Sequence, residues 1–417
     1  MVRALRPTAP MQRHRLFRVL AVCASLGASC SPGNTMELDS GGSDARGPAQ
    51  DATFLAPDAP PRPDAGPPIV HDCSSLPSAG TWESLTIPTP PGFVLPDDEM
   101  GVIIAGVEVD PHAPGVIYMG LALYPRIVGL GLWRSEDCGA SWGQVATGAL
   151  ADEINSGTQY TILFDPRDPD VIVSQSFYGT GHLYRSANRG VDWTDITPTG
   201  TGVPGFVQVA SMDPHDPDHL LLTFHADCQA PHAAFCLAES RDQGASWRII
   251  DGPAALRAWS EAAGPMIIDE RTWLVTVPSS GDGGVFYTND AGQSWDRVIG
   301  YPGCAPGLIR PGDAEPLYLA CLDNLGLQRS ADGHTWTHVE GSPAASGFIR
   351  TEDTWFASFN GDRSGHPIFS APTSNETQWT RIETPTMVGG TRFAYDGTHR
   401  VLFANADPGE LWRVVLE

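Results

Sequence analysis

The side chains that could do chemistry in this chain lie between its apolar runs. Glu261 and Asp282 are acids of the kind that hydrolyse glycosidic bonds when the two carboxyl groups lie about 5–10 Å apart. His225, Asp227 and His232 offer imidazole and carboxylate groups that suit a metal ion. Because their spacing matches no established metal-binding motif, we predict no metal and no cofactor.

Aromatic and charged side chains in the same segments suit carbohydrate binding, since rings stack on sugar faces and polar groups bind hydroxyls. The candidate binding residues are Tyr124, Arg126, Tyr178, His182, His225, Asp227, Trp259, Glu261, Asp282, Asp323, Asp362, Arg363 and His366. The same composition is ordinary for surface loops. The sequence contains no Gly-rich phosphate loop and no Ser-His-Asp signature, so it names no catalytic residue.

Further carboxylates recur at a fixed spacing, Ser-x-Asp-x-Gly-x-Ser/Thr-Trp, in five copies with small changes. The repeated positions are Ser135, Asp137, Gly139, Trp142, Ser186, Trp193, Ser240, Asp242, Gly244, Trp247, Asp290, Gly292, Trp295, Ser330, Asp332 and Trp336. One interpretation is a row of catalytic or metal-binding acids. The other is a turn in which Ser and Asp accept backbone hydrogen bonds and Gly takes a positive φ. Asn188 replaces the acid in the second copy and still accepts a hydrogen bond, which favours the turn.

A second repeat precedes these turns and indicates the elements that hold them. It is clearest at 107–118, 163–172 and 211–220, where Asp-Pro lies between two apolar runs of strand length. Weaker copies centre on 268–270, 310–313, 350–353 and 395–397. These segments predict seven hairpins.

The tryptophans that open the strand after each turn also number seven: Trp82, Trp142, Trp193, Trp247, Trp295, Trp336 and Trp379. The first of them, Trp82, has no repeated turn before it, and the strand at 410–414 is not followed by a strand that opens with Trp. The sequence therefore predicts an all-β fold. It is a seven-bladed β-propeller of four-stranded antiparallel blades, closed by the N- and C-terminal strands in one blade.

This arrangement puts the hairpins and the repeated turns on one face, which we call the turn face. The loops that enter each blade and join its middle strands form the opposite face, which we call the loop face. Propellers usually bind ligands at that second face, over the channel. The candidate binding residues are expected there.

The spacing of the repeated turn resembles the Asp-box, or BNR, repeat of sialidases, sortilin-type receptors and xyloglucanases. The blade count and hairpin repeat look more like sortilin-type, xyloglucanase-half and photosystem-assembly-factor propellers. Sialidases carry Arg-Ile/Leu-Pro before the boxes, and the nearest stretch here, Arg126-Ile127-Val128, lacks that Pro. Xyloglucanases use a cleft between two propellers, whereas this chain has room for one. The assembly-factor likeness implies a protein-binding role.

Eight cysteines are present, and setting aside the two at 23 and 30 leaves six, an even number compatible with disulfides in an oxidising compartment. The register of the repeats places two of them across one hairpin, two around a short loop, and two beside the closing strand. It predicts three pairs: Cys304 with Cys321, Cys228 with Cys236, and Cys73 with Cys138.

The N-terminal region is typical of an exported protein. Residues 1–30 have an arginine-rich start and an apolar run at 19–28 that is too short to span a bilayer. The small residues before Cys30 resemble a bacterial lipobox, which implies that Cys30 is lipidated and sorted to the outer membrane; cleavage and secretion is the alternative. Residues 31–72, rich in Pro, Gly, Ala and Asp, predict a disordered linker, and 73–417 the propeller.

The chain holds 25 basic against 49 acidic residues, a formal net charge of −24, which argues against a nucleic-acid partner. We expect an extracytoplasmic monomer that touches the membrane only through its lipid anchor. It would bind a glycan or an extracytoplasmic protein without catalysis. A glycoside hydrolase acting on a polysaccharide or glycoconjugate is the alternative, and a structural envelope protein is a third possibility.

Overall fold

The fold is seen in a computed structural model. It describes residues 71–96, 101–124, 128–177, 180–253, 256, 264–277, 282–301, 303–309, 316–322, 325–358, 367–384, 389–406 and 409–417. Those ranges contain strands β1 to β28 and one short helix, α1 (Ala151–Ser156), which the sequence did not predict. Within them, no helix combines the length and apolar character needed to cross a bilayer.

The strands form seven antiparallel sheets of four, which we number I to VII in chain order. Blade I contains β2 (Gly101–Val109), β3 (Ile117–Tyr124), β4 (Gly129–Ser135) and β5 (Gly143–Gln144). Blade II contains β6 (Thr158–Phe164), β7 (Ile172–Phe177), β8 (Leu183–Ser186) and β9 (Thr194–Asp195). Blade III contains β10 (Val207–Met212), β11 (Leu220–Phe224), β12 (Cys236–Ser240) and β13 (Arg248–Asp251). Blade IV contains β14 (Gly264–Ile267), β15 (Trp273–Val277), β16 (Gly284–Thr288) and β17 (Asp296–Ile299).

The remaining blades complete the ring. Blade V contains β18 (Cys304–Ile309), β19 (Leu317–Cys321), β20 (Leu327–Ser330) and β21 (Thr337–His338). Blade VI contains β22 (Gly347–Arg350), β23 (Thr354–Ser358), β24 (Ile368–Pro372) and β25 (Thr380–Arg381). Blade VII contains β26 (Gly389–Asp396), β27 (Val401–Ala406), β28 (Glu410–Val415) and β1 (Glu83–Leu85).

Closure of the ring is confirmed, because the first strand of the chain pairs with the last. Glu83 lies opposite Arg413 and Leu85 opposite Leu411 in the antiparallel register of β1 and β28. The first strands of neighbouring blades lie side by side and surround the channel, so each blade steps outward from its first strand to its fourth.

Apolar packing between neighbouring sheets holds the blades together. Between blades VII and I, Phe403 and Leu411 pack in one cluster with Ile117 and Leu121. Blades I and II approach so closely that a Cβ atom added at Gly120 would lie 1.8 Å from the backbone oxygen of Gln159. Burial of apolar surface on both faces of each sheet is the main stabilising term for such a ring.

The repeated turns and the hairpins lie at the same end of their blades, as the turn face requires. The amide of Cys138 donates to the carbonyl of Gly115 at 3.0 Å, joining the repeated turn of blade I to the hairpin of the same blade. Arg189 donates to Asp170 in the same way at 2.9 Å in blade II. Equivalent bonds join Gln243 to Asp218, Ala291 to Arg271 and Thr373 to Asp353.

The closing blade is fastened by a group of polar contacts that we call the closure clasp, centred on Arg413. This side chain is 2% exposed. Its guanidinium donates to Glu83 Oε2 at 2.8 Å, to the carbonyl of Cys138 at 2.6 Å and to the carbonyl of Ser75 at 2.8 Å. The clasp therefore ties the first strand, the last strand and the turn of blade I to one cation.

The three disulfides have the pairing that the register predicts. Cys73 is bonded to Cys138, Cys228 to Cys236, and Cys304 to Cys321. The last pair lies directly opposite in the register of β18 and β19. The first pair joins the N-terminal segment to the repeated turn of blade I, which adds a covalent bond to the closure clasp.

Candidate functional site

The polar side chains of the repeated turns form hydrogen bonds with one another and with the backbone of the same turn. In blade I, Ser135 Oγ accepts from the Gly139 amide at 2.8 Å and donates to Asp137 Oδ1 at 2.8 Å. Asp137 accepts further bonds from the amide of Ser141 at 2.8 Å and from its hydroxyl at 2.6 Å. Cys138 and Gly139 both have positive φ, at 56° and 89°, so the turn needs two left-handed residues rather than the one glycine expected.

The same bonds recur around the ring. The backbone and hydroxyl of Ser246 donate to Asp242 at 2.8 and 2.6 Å, and those of Ser294 donate to Asp290 at 2.9 and 2.6 Å. In the second copy, the amide oxygen of Asn188 accepts from the Asp192 amide at 2.9 Å. An uncharged group thus performs the same structural task.

These bonds stabilise the charged form of the turn carboxylates. The hydroxyl of Ser294, followed by its amide, lowers the pKa of Asp290 to about 2. The amides of Thr335 and His334 lower the pKa of Asp332 to about 2. Partial burial would raise the pKa of Asp242, but the bonds from Ser246 outweigh burial and lower it. These groups stay ionised and cannot serve as proton donors near neutral pH.

On the loop face, two of the described histidines contact other side chains of the chain. His182 Nδ1 lies 2.8 Å from Asp195 Oδ2, and its ring is 6.1 Å from that of Tyr184. His225 Nδ1 lies 2.5 Å from Gln208 Oε1, and its ring is 4.6 Å from that of Phe206. Both imidazoles are thereby oriented by neighbours within the protein.

The other described candidates belong to three different blades. Tyr124 ends β3 and is half-buried, Asp227 is half-buried in the loop before Cys228, and Asp282 is exposed before β16. His225, Asp227 and His232 do not come together as metal ligands. Among the described residues, the one group of three possible ligand atoms within 4.8 Å joins His399 to Cys73 and Cys138, whose sulfurs form a disulfide.

Several predicted site residues lie outside the described residues. They are Arg126, Tyr178, Trp259, Glu261, Asp323, Asp362, Arg363 and His366, and the same holds for Cys30. The separation of Glu261 and Asp282, on which a glycosidase mechanism depends, is therefore still a prediction.

The structure reveals a polar site that sequence reasoning missed, in the central channel. Arg392 of blade VII lies over the ring of Tyr160 of blade II, with 4.3 Å between the guanidinium carbon and the ring centroid. Blade I separates these two blades in the ring, so the two side chains meet in the channel in front of β2. We call Arg392, Tyr160 and Glu108 the channel site.

Irregular strand pairing occurs at Tyr160 and around Arg392. The register of β6 against β7 shifts between Gln159 and Thr161, so Tyr160 is the extra residue of a β-bulge. The register of β26 against β27 shifts between Gly389 and Phe393, a stretch that includes Arg392. Bulges re-aim side chains in this way and are frequent next to functional sites.

Glu108 supplies the opposite charge in the channel. It lies on β2, the strand of blade I next to the channel, and its side chain is exposed. The neighbouring blades reduce the hydration of its carboxyl group and raise its pKa to about 7, and the charge of Arg392 only partly opposes that effect. A charged residue that interrupts the apolar pattern of 101–109 is the signal that could have identified this position.

Comparison with known proteins supports the fold and gives a weaker indication of function. No protein-family model matches the chain. A xyloglucanase from Paenibacillus sp. is 26% identical over 284 residues, which cover 62% of this chain and 22% of the enzyme. The matched region thus spans about a fifth of that curated relative.

Among solved structures, YCF48 from Cyanidioschyzon merolae has a TM-score of 0.52 at 12% identity, covering 80% of this chain and 98% of that one. A second structure, YCF48 bound to D1 peptide, has a TM-score of 0.51 at 12% identity, with 82% and 99% coverage. At this identity the likeness shows a shared propeller fold.

Proposed function

We propose that this chain is an extracytoplasmic binding propeller that recognises a glycan or a protein at its loop face and does not catalyse a reaction. The observation that supports the proposal is that the repeated carboxylates accept hydrogen bonds within their own turns. Asp137, Asp242 and Asp290 each accept bonds within their own turns, and their pKa values are lowered. The acids that the sequence repeats most often are thereby turn-forming groups on the opposite face.

Both ligand classes have support from similar proteins. The Paenibacillus relative is named a xyloglucanase, an enzyme of a glycan, and one structural neighbour is a propeller with a bound peptide. The loop face of this chain offers Tyr124, His182, His225, Asp227 and Asp282 among its described residues. Their mixture of rings, imidazoles and carboxylates suits hydroxyl groups and peptide amides alike.

A glycan array together with a pull-down from envelope extract tests the binding proposal. The expected result is saturable binding of one glycan or protein, weakened by Tyr124→Ala and unchanged by Asp296→Asn, an exposed acid on an outermost strand. Binding that Asp296→Asn abolishes and Tyr124→Ala leaves intact would contradict the loop-face assignment.

The second candidate function is glycoside hydrolysis, which the similarity to a xyloglucanase favours. Reducing ends released from xyloglucan and other polysaccharides measure it directly. We expect none above that of a Glu261→Gln, Asp282→Asn double variant. Turnover by the parent chain that either single substitution removes would establish the enzyme and overturn the non-catalytic proposal.

We further propose that Cys30 carries the lipid that holds the protein at the cell envelope. The test is fractionation of cells producing the parent chain or Cys30→Ser, with labelled fatty acid as the probe. Label and membrane association should both disappear in Cys30→Ser. Secretion of the unlabelled parent chain would show the alternative to be correct.

A further inference from the structure

The channel site has a composition that its structural role does not explain. Arg392 is half-buried, and among the described residues its guanidinium contacts the ring of Tyr160 but donates to no carboxylate. Most other described arginines do find an acceptor; Arg167, for example, is 2.8 Å from Asp218, and Arg413 is 2.7 Å from Glu83.

Glu108 is the counterpart of this arginine. It lies near enough for the charge of Arg392 to lower its pKa, yet the two do not form an ion pair. Its side chain is exposed on β2, which is the strand of blade I next to the channel. The channel site therefore offers a cation and an acid that are not bonded to one another.

Stacking leaves the guanidinium available for a ligand. An arginine over an aromatic face still presents the N–H groups at its planar edge, which match a carboxylate with two parallel bonds. Tyr160 thus fixes the plane of Arg392 and reduces the entropy lost when a ligand binds. Both residues lie where the register of strand pairing shifts.

Charge decides the class of ligand. A polyanion would be repelled by a protein of net charge −24, and a simple cation would meet Arg392 within the channel. A molecule that carries both signs satisfies Arg392 with its carboxylate and Glu108 with its ammonium group, and its net charge is zero. A cation beside Glu108 also favours the ionised form of that side chain.

We propose that the channel site formed by Arg392, Tyr160 and Glu108 binds a small zwitterionic ligand, with its carboxylate on Arg392 and its ammonium group toward Glu108. This is a site for a small molecule inside the ring, distinct from the loop-face recognition of a glycan or protein. The two proposals fail independently, because one is tested with polymers and the other with amino acids.

A ladder of ω-amino acids measures both the binding and the separation of the two charges. Glycine, β-alanine, 4-aminobutyrate and 6-aminohexanoate are titrated into the purified full-length chain, with acetate and methylammonium as single-charge probes. Calorimetry or ligand-observed NMR gives the affinities. One length should bind best, about tenfold or more tighter than either single-charge probe, because each probe lacks one charge-assisted hydrogen bond.

Variants identify the residues responsible. Arg392→Gln and Glu108→Gln should each weaken the best amino acid about tenfold or more, whereas the exposed matched changes Arg381→Gln and Glu383→Gln should not. Arg392→Lys keeps the charge but not the planar arrangement of N–H donors, so its loss of affinity for the best amino acid should be intermediate. Thermal melting shows whether each variant is folded.

Three results would overturn the proposal. The first is the absence of saturable binding of any amino acid to the folded parent chain. The second is unchanged affinity in folded Arg392→Gln. The third is acetate binding as tightly as the best amino acid, which would remove Glu108 from the site.

Discussion

The closure clasp gives a quantitative prediction for Arg413→Met, which replaces the guanidinium with an apolar chain of similar length. The carbonyl of Cys138 is buried and loses its donor, which costs about 1–3 kcal/mol. The carbonyl of Ser75 and the carboxylate of Glu83, whose side chain is 43% exposed, can bind water once the guanidinium is gone. The loss of each of these two contacts should therefore cost no more than about 1 kcal/mol. We expect the free energy of unfolding to fall by about 2–4 kcal/mol.

Urea unfolding under non-reducing conditions measures this difference, and hydrogen exchange locates it. The amides of β1 should exchange faster in Arg413→Met, since they depend on the closing sheet. The matched control is Arg329→Met. The side chain of Arg329 is 46% exposed and pairs with Glu376, so its loss should cost no more than about 1 kcal/mol. Equal losses in the two variants, or unchanged exchange in β1, would refute the role of the clasp.

Three further predictions concern the channel, the packing of two blades and a repeated turn. Because the pKa of Glu108 is raised from its ordinary value of 4.5 to about 7, the folded state binds more protons than the unfolded state between those two pH values. Its contribution to stability therefore falls as pH rises through that range, and Glu108→Gln should raise the melting temperature relative to the parent more at pH 8 than at pH 4. Gly120→Ala should lower the free energy of unfolding by about 1–3 kcal/mol or prevent folding, since its Cβ would meet the oxygen of Gln159. Gly143→Ala has open space and should cost far less in the same denaturation assay; similar costs would contradict the packing argument. Because the pKa of Asp290 is lowered from its ordinary value of 3.8 to about 2, the stabilisation by its ionised form is fully present above pH 3.8 and is lost as pH falls toward 2. Asp290→Asn should remove that part of the acid transition in a melting series, and an identical acid profile would count against it.

The repeated turns show why so much of this fold could be predicted. Ser135, Asp137 and Gly139 form a bonded unit within a few residues, so the sequence indicates the turn wherever that spacing occurs. Counting the predicted hairpins and the strand-opening tryptophans gave the number of blades, because each blade repeats one four-stranded unit. The first and last strands of the chain each lacked the rest of a blade, so they were predicted to share one, and β1 and β28 do pair.

Other features had no local signal. Arg413 lies 330 positions from Glu83 in the chain, so nothing near either residue predicts their ion pair. Asn188 stands where the other copies have Asp, and the sequence could explain it because both side chains accept the same hydrogen bond. The second left-handed residue of the turn, Cys138, has no side-chain feature that predicts its positive φ.

Short sequence patterns were enough to predict the all-β class, the seven blades, their closure and the disulfide pairs, since turn chemistry and strand periodicity act over short separations. The meeting of Arg392 and Tyr160 near Glu108 follows from the closed ring and could not be predicted from such patterns. These residues belong to three blades, and two of them lie at shifts in strand register. A bulge depends on how one strand pairs with another, and the channel exists only when the ring is closed.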